Sequence, residues 1–273
     1  MNLALSLSSA GFPSEAAAEY TIALSLRPSS EAHYGLGCAL LDAGDLPAAL
    51  RSFEAAASLD PHDVDARVHL GNARRDAGDL PGALREYRIA CRVKVPTSGR
   101  DGVVTAHYNL GSTCLEVGGA MNLEEAIAAF KVAIKLDPEH ADAHYNCGIA
   151  YHERGQFEAA LKCYENAVNI DRDFEDAVNA RDNARLVVEK QREKRRTDDT
   201  ERKKVIDKEN AGVNGGPNKA KTTATYKAGA EKKKGGGSLA SKDELNKLAT
   251  GGYEGMGGTR KFGNATDQNA GKK

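Results

Sequence analysis

Small, apolar and polar residues recur in the same order in four copies along the first part of the chain. The clearest copies are Ala-His-Tyr-Gly-Leu-Gly at 32–37, Ala-His-Tyr-Asn-Leu-Gly at 106–111 and Ala-His-Tyr-Asn-Cys-Gly at 143–148. A weaker copy, Ala-Arg-Val-His-Leu-Gly, stands at 66–71. Self-similarity at a roughly fixed period is typical of proteins built from one repeated supersecondary unit.

Each copy is followed by a second set of recurring positions: a glycine, an alanine, an aromatic residue and another alanine. In the first complete unit the glycine is Gly44 and the aromatic residue is Phe53. We interpret each unit as two helices, A and B, with Gly44 ending helix A because glycine adopts positive φ without strain. Leu36 and Gly37 are expected on the face of helix A that meets helix B, where glycine lets the backbones approach and Phe53 fills the space between them.

These recurring positions resemble the tetratricopeptide repeat, whose period is about 34 residues. The resemblance covers residues 1–174 and is nearest to the superhelical arrays of the O-GlcNAc-transferase type, without a catalytic domain. It implies an all-α fold, a right-handed α-solenoid of helix-turn-helix hairpins. The units are placed at 1–29, 30–63, 64–103, 104–140 and 141–174.

Three of these units depart from the regular length. The first is incomplete, because Met1 falls inside its helix A, and a fragment, a truncated gene model and a frayed hairpin all stay open as explanations. The third and fourth units carry extra residues near 96–101 and 119–121. Insertions in solenoids map to turns, so we expect both on one rim of the array.

Beyond residue 174 the repeat glycines stop, but apolar residues keep a spacing of three to four positions from Phe174 to Val187. This pattern predicts a further helix over 175–209 that covers the last hairpin and runs on as a charged, fraying helix. Residues 210–273 are rich in Gly and Lys and poor in aromatics. Such a segment buries too little apolar surface to offset its conformational entropy, so we expect a disordered tail.

The charge is divided between these two parts. The chain has 38 Lys and Arg against 39 Asp and Glu, a net charge of −1. Residues 1–180 hold 15 basic and 26 acidic residues, whereas 181–273 hold 23 and 13, so the net charges are −11 and +10. The split raises the hypothesis that the Lys-rich tail contacts an acidic surface of the array in cis.

Composition argues against several classes of protein. No run approaches the length that spans a bilayer, and the N-terminus lacks the basic leader of a secretory signal. The five cysteines form no Cys-x-x-Cys motif, which favours reduced thiols in the cytosol or, as a second choice, the nucleus. We find no phosphate-binding, zinc-protease or nucleophile-elbow motif, so we expect no enzyme activity, no cofactor and no metal. His140, His144 and Cys147 invite a metal site, but His144 occupies a repeat position shared with His33 and His107, which favours a structural role.

The resemblance implies that the A helices line a concave groove with the second, fifth, sixth, ninth, twelfth and thirteenth residues of each unit. The thirteenth residues are all acidic: Asp42, Asp76, Glu116 and Glu153. An acid near a helix C-terminus opposes the helix dipole, so these four favour an acidic groove over ordinary solvated residues. Three second residues are also acidic, namely Glu31, Asp65 and Asp142, but the dipole at a helix N-terminus favours them without any ligand.

Amides and tyrosines complete the candidate groove. Asn109 and Asn146 stand at the sixth position and Asn72 at the ninth. An amide both donates and accepts hydrogen bonds, so these side chains resemble the asparagine ladder that holds a peptide backbone in the glycosyltransferase-type arrays, with plain polar filler as the alternative. Tyrosines at the fifth position also face the groove: Tyr34, Tyr108 and Tyr145.

The sequence therefore predicts a non-enzymatic adaptor that binds extended, basic or polar protein segments. An Hsp70/Hsp90-type carboxylate clamp is disfavoured, since no second position is basic and only Asn72 fits the clamp pattern. One alternative is binding of nucleic acid or an anionic surface through the basic segment 181–234. Another is that the array is part of a larger enzyme truncated at the N-terminus. No membrane contact is expected.

Overall fold

The computed structural model describes residues 1–93 and 100–213, and within these ranges the chain is helical throughout, with no strand. The described helices are α1 (Asn2–Ser9), α2 (Pro13–Leu26), α3 (Ser30–Asp42), α4 (Leu46–Leu59), α5 (Val64–Asp76), α6 (Leu80–Ala90), α7 (Arg100–Val117), α8 (Ala120–Leu136), α9 (Ala141–Glu153), α10 (Phe157–Ile170) and α11 (Glu175–Val213). The predicted all-α fold is confirmed.

The first ten helices form five hairpins, in which α1, α3, α5, α7 and α9 are the A helices and the helix after each is its B helix. Each B helix also contacts the A helix of the next hairpin. In addition, α5 contacts α7 and α7 contacts α9, so these three A helices lie side by side. This is the stacking of an α-solenoid, as the repeat pattern predicts.

Local chemistry sets where the helices begin and end. The carboxylates of Asp45 and Asp79 accept hydrogen bonds from the backbone N–H groups of Ala48 (3.0 Å) and Gly82 (2.9 Å), which caps α4 and α6. Such caps satisfy backbone donors that have no partner in the first helical turn. Gly44 has φ +83° between α3 and α4, which confirms the positive φ expected there.

Within each hairpin a glycine of helix A lies against the aromatic ring of helix B. A Cβ atom on Gly37 would lie 2.6 Å from Cε1 of Phe53, whose side chain is fully buried. The equivalent pairs are equally close: Gly71 with Tyr87, Gly111 with Phe130 and Gly148 with Tyr164. The close approach predicted at this glycine is therefore present in four hairpins.

Leu36 does not share the partner of its neighbour Gly37, contrary to the sequence-based expectation. It packs instead with Tyr20 and Ala39, against the preceding hairpin. Adjacent residues of a helix point about 100° apart, so the two positions serve different interfaces. Gly37 contacts helix B of its own hairpin, and Leu36 contacts the preceding hairpin.

The extra residues of the third and fourth units are not confined to turns, which corrects part of the expectation. Of 96–101, the described residues Arg100 and Asp101 belong to α7; of 119–121, Gly119 lies in the turn before α8, whereas Ala120 and Met121 belong to α8. Helix α7 has 18 residues, whereas α3, α5 and α9 each have 13. Helix α8 has 17 residues against the 14 of α4 and α10. When a helix is extended at its N-terminal end, the added residues make helical backbone hydrogen bonds. The residues added to α7 and α8 therefore need no separate loop. Residues 94–99 lie outside the described ranges.

Helix α11 follows the fifth hairpin. Phe174 and Ala177 are buried with Ala167 of α10, so the first turn of α11 packs on the last hairpin. The helix passes at Arg181 from a first compact unit into a second unit that begins at Asp182. Of the predicted tail 210–273, residues 210–213 belong to α11. Residues 214–273, and with them the hypothesis that the tail contacts the array, lie outside the described residues.

Candidate partner-binding surface

The surface formed by α3, α5, α7 and α9, called here the A-helix surface, carries the predicted groove residues. The four thirteenth residues, called here the acid row, lie in the last turns of these helices and are all exposed: Asp42, Asp76, Glu116 and Glu153. Each of these four A helices therefore presents one carboxylate to solvent near its C-terminal end.

The pKa shifts of nearby groups show which side chains lie close to the acid row. Burial raises the pKa of the Tyr87 phenol, and Asp76 and Glu116 raise it further because a second negative charge nearby is unfavourable. These two carboxylates, from successive A helices, therefore lie near one phenol. Burial also raises the pKa of Glu153 above its ordinary value, so that this carboxylate is partly desolvated.

Two of the three predicted amides bridge α5 and α7. Asn109 donates from Nδ2 to Oδ1 of Asn72 at 2.9 Å, and the Tyr87 hydroxyl donates to the same oxygen at 2.7 Å. The exposed fractions are 8% for Asn72 and 6% for Asn109, so both lie below the solvent-exposed layer. These amides hydrogen-bond to each other between hairpins. This bond contributes to stability, because a buried polar group without a hydrogen-bond partner raises the free energy of the folded state.

The third amide bridges α7 and α9 in the same way. Asn146 donates from Nδ2 to the hydroxyl oxygen of Tyr108 at 3.1 Å. A carboxamide has two N–H donors and an acceptor oxygen, so one bond leaves further hydrogen-bonding capacity. The row of polar bridges thus follows the A helices from α5 to α9.

The three fifth-position tyrosines are half-buried, and each contacts the hairpin or helix that follows. Tyr34 lies edge-on to His69 with ring centroids 5.0 Å apart. Tyr108 stacks on His140 at 4.8 Å, and Tyr145 lies 4.9 Å from Phe174. These rings therefore stabilise the stacking of consecutive units as well as lining the A-helix surface.

The second-position acids occupy the first turns of their helices, as the dipole argument expects. Glu31 and Asp65 are exposed and Asp142 is half-buried. Burial raises the pKa values of Tyr34 and Tyr108, and the charges of Asp65 and Asp142 raise those of Tyr34 and Tyr108 further, respectively, so each acid lies near a fifth-position tyrosine.

Two further residues of this surface were not among the predicted binding residues, although His69 holds a sixth position. Arg75 lies near both the Tyr87 and the Tyr108 phenols, whose pKa values its positive charge lowers against the effect of burial. His69 donates from Nδ1 to the backbone oxygen of Asp65 at 2.9 Å. Arg75 directly precedes Asp76 and holds the twelfth position of its unit, which is one of the predicted groove positions. A charged residue at that position could have identified it from the sequence. The A-helix surface is therefore not uniformly acidic.

The two histidines that were considered as metal ligands make hydrogen bonds to the backbone instead. His140 accepts a hydrogen bond from the backbone N–H of Ala143 at 3.4 Å as the N-cap of α9, and His144 donates to the backbone oxygen of Pro138 at 3.1 Å. Among residues 1–93 and 100–213, no group of three or more His, Cys, Asp or Glu side chains is placed to hold a metal ion. Across the same residues, no helix is both long and apolar enough to cross a membrane.

The basic segment 181–234 is described as far as Val213. From Asp182 to Val213 the sequence has ten Lys and Arg residues and eight Asp and Glu residues, so the two signs nearly balance. Binding of nucleic acid through this segment stays a prediction.

Comparison with known families now decides the identity of the repeat. Models of the tetratricopeptide repeat match residues 1–49, 34–98, 122–153 and 141–174, which together cover more than half of the chain. The chain is a tetratricopeptide-repeat protein. Repeats of this family indicate a protein-interaction scaffold.

Solved tetratricopeptide-repeat structures share its fold. YrrB, described as a TPR protein with an unusual peptide-binding site, aligns with a TM-score of 0.56 and 28% identity, over 67% of this chain and 90% of YrrB. The crystal structure of MamA aligns with a TM-score of 0.55 and 23% identity, over 63% of this chain and 96% of MamA. The likeness to MamA concerns the fold alone.

Two plant proteins are similar over a shorter stretch. The probable UDP-N-acetylglucosamine–peptide N-acetylglucosaminyltransferase SPINDLY of Oryza sativa subsp. japonica is 44% identical over 55 residues, which is 20% of this chain and 6% of SPINDLY. SPINDLY of Hordeum vulgare is 42% identical over a stretch of the same length. The match lies in the repeats and reaches no catalytic domain. This tetratricopeptide-repeat chain thus matches only a small part of the length of these relatives.

Proposed function

We propose that this tetratricopeptide-repeat protein is a non-enzymatic adaptor, located in the cytosol, that binds an extended basic or polar segment of a partner protein along its A-helix surface. The observation that carries the proposal is the acid row. Four hairpins each place an exposed carboxylate at the same point of helix A. A repeated charge along one surface suits a ligand that is itself extended and periodic.

The position of the acid row supports a role in binding. Each carboxylate lies at a helix C-terminus, where the macrodipole makes a negative charge unfavourable by roughly 0.3–1 kcal/mol. None of the four is a member of an ion pair among those found in the described residues. A basic ligand would offset the unfavourable interaction with the helix dipole.

The polar bridges support the same reading of the surface. Asn109 and Asn146 each use one Nδ2 donor between helices, which fixes their orientation. A fixed amide with unused hydrogen-bonding groups is pre-organised to bind a peptide backbone. YrrB, a structural relative at 28% identity, is described as having a peptide-binding site, which fits this use of the fold.

Fluorescence anisotropy with labelled, extended Lys- and Arg-containing peptides tests the proposal. The acid row is neutralised in one variant carrying Asp42→Asn, Asp76→Asn, Glu116→Gln and Glu153→Gln. We expect affinity for basic peptides to fall by tenfold or more, since each lost contact between exposed charges is worth about 0.2–1 kcal/mol. Binding by the unmodified chain should weaken between low and high salt because exposed charges are screened.

A matched control neutralises four acids of the B helices: Glu15, Glu19, Glu158 and Glu165. This control changes the net charge by the same amount and leaves the A-helix surface intact. Equal losses in the two variants would show that only net charge matters, and unchanged binding after neutralisation of the acid row would refute the proposed surface.

A further inference from the structure

Two cysteines of the fifth hairpin face each other across the A and B helices. Cys147 on α9 directly precedes Gly148, and Cys163 on α10 directly precedes Tyr164. Gly148 lies against the Tyr164 ring so closely that a Cβ atom there would be 2.5 Å from Cε1. The helices therefore approach closely beside both thiols, and both cysteines pack in one hydrophobic cluster.

The two thiols differ in access to solvent. Cys147 is 1% exposed, whereas Cys163 is only half-buried. Cys163 is therefore the more accessible residue of the pair. In the preceding hairpin the equivalent positions hold Leu110 and Ala129, which also share a cluster, so the pairing of these positions follows from the repeat.

The surroundings of Cys163 favour its thiolate form. The neighbouring Cys147 thiol lowers the pKa of Cys163, burial opposes this shift, and the positive charges of the nearby Lys131 and Lys162 lower the pKa further. Lys131 is anchored with its Nζ 5.4 Å from the ring centroid of Tyr151. The neighbouring Cys163 and burial raise the pKa of Cys147, which favours the protonated thiol there.

The other three cysteines have the opposite character. Burial raises the pKa of Cys38 to about 11 and the pKa values of Cys91 and Cys114 to about 12. A thiolate is the reactive form of cysteine, so these three are expected to be inert near neutral pH.

We propose that Cys163 and Cys147 form a site of reversible oxidation, in which a hydroperoxide oxidises Cys163 and Cys147 then closes a disulfide between α9 and α10. This site is separate from the proposed partner-binding function and does not depend on it.

The chemistry balances with hydrogen peroxide as the oxidant. The Cys163 thiolate attacks one peroxide oxygen, the O–O bond breaks, and the products are Cys163 sulfenic acid and hydroxide. The Cys147 sulfur then attacks the Cys163 sulfur, the S–O bond breaks, and the Cys147 proton leaves with the oxygen as water. The peroxide takes up the two electrons that the thiols lose, and a dithiol reductant reverses the change.

Peptide mapping of the full-length chain tests the site. The chain is treated with submillimolar hydrogen peroxide, free thiols are blocked with N-ethylmaleimide, and trypsin is added. Cleavage after Lys135, Arg154, Lys162 and Arg172 places Cys147 in peptide 136–154 and Cys163 in peptide 163–172. We expect these two peptides joined, lighter by two hydrogen atoms than their sum, and separated again by dithiothreitol.

The repeat supplies variants that keep the packing. Cys147→Leu places at this position the residue found at Leu110, and Cys163→Ala copies Ala129. With Cys147→Leu, dimedone should trap the sulfenic acid on Cys163, whereas Cys163→Ala should leave Cys147 unlabelled. A double variant Cys91→Ser/Cys114→Ser serves as the control and should retain the joined peptides.

Two results would overturn the proposal. The first is absence of the joined peptides from the unmodified chain while other cysteines are oxidised. The second is alkylation of Cys163 by iodoacetamide at neutral pH no faster than that of Cys38, where we expect a difference of about tenfold or more. Far-UV circular dichroism of both single variants checks that helicity is kept.

Discussion

Asn109 donates a hydrogen bond from Nδ2 to Oδ1 of Asn72 at 2.9 Å and thereby joins the A helices of the third and fourth hairpins. The two residues are 37 positions apart, close to one repeat period. The same oxygen accepts the Tyr87 hydroxyl from helix B. The Asn72 carboxamide therefore links the two helices of the third hairpin, and links that hairpin to the fourth.

Removing this carboxamide should destabilise the array. In Asn72→Ala, the buried Tyr87 hydroxyl and the Asn109 amide both lose their acceptor, and each unsatisfied group costs about 1–3 kcal/mol. We expect the free energy of unfolding in urea to fall by about 2–4 kcal/mol, against about 1 kcal/mol for Asn109→Ala, which breaks one bond.

The double variant Asn72→Ala/Asn109→Ala measures the coupling between the two amides, which should be about 0.5–1.5 kcal/mol. Asn169→Ala, an exposed substitution on α10, is the reference. If Asn72→Ala costs no more than this reference, the bridge contributes nothing to stability.

A single methyl group at the hairpin glycine should also be costly. Alanine is favoured over glycine in a helix by about 1 kcal/mol, so Gly37→Ala would stabilise α3 if propensity alone decided. The Phe53 ring occupies that space, and we expect instead a net loss of about 1–3 kcal/mol, measured by chemical denaturation.

The ring itself supplies the control. In a Phe53→Leu background the added methyl has more room, so Gly37→Ala should cost clearly less than in the unmodified chain. An equal cost in both backgrounds would mean that something other than the ring opposes the methyl group.

Stability should fall as the pH drops below neutral, in part through His140. Burial lowers the pKa of His140 from its ordinary value of 6.5, while Asp142 and Asp137 oppose this shift and His144 adds to it. The unfolded chain then binds a proton more readily than the folded chain. The stability contributed by neutral His140 is full above pH 6.5 and is lost as the pH falls from there toward the lower folded-state pKa.

His140→Asn keeps an N-cap acceptor and removes the titrating ring. We expect the urea midpoint of this variant to change less between pH 7.5 and 5.5 than that of the unmodified chain. His107 and His152 also have pKa values lowered by burial, so part of the pH dependence should remain. His62→Asn, at an exposed position, is the control. The same pH dependence in His140→Asn and the unmodified chain would contradict the assignment.

An ion pair between B helices should contribute modestly. Arg88 donates from Nε and Nη2 to the two carboxylate oxygens of Glu125, both at 2.7 Å, and joins α6 to α8. The Cys114 thiol also donates to Glu125, at 3.6 Å. Because Arg88 and Glu125 are 38% and 34% exposed, solvent screens the pair, and Glu125→Gln should cost about 0.5–1 kcal/mol at pH 7.

The sign of the pH effect follows from the carboxylate. The hydrogen bonds from Arg88 lower the pKa of Glu125, so its contribution is present above the ordinary value near 4.5 and is lost as the pH falls through the folded-state pKa. The cost of Glu125→Gln should therefore shrink in acid, measured by urea unfolding at pH 7 and near pH 3. If Glu125→Gln lowered the free energy of unfolding equally at both pH values, the ion pair with Arg88 would not be the cause of the loss.

The sequence by itself determined the all-α hairpin repeat, the glycine at each close approach and the position of the acid row. Each of these depends on a local requirement, such as the space beside Phe53 or the positive φ of Gly44, that one residue type meets and that recurs at a fixed period. Such requirements can be read without knowing what lies on the other side of the helix.

The tertiary structure alone decided which partner each side chain meets across the hairpin boundaries. The sequence marked Asn72 and Asn109 as polar residues of one surface, but only the stacking of α5 on α7 turns them into a bridge. It also places Leu36 against Tyr20 of the preceding hairpin, and Arg75 beside the phenols of Tyr87 and Tyr108. These contacts depend on the offset and rotation between packed helices, which no single repeat encodes.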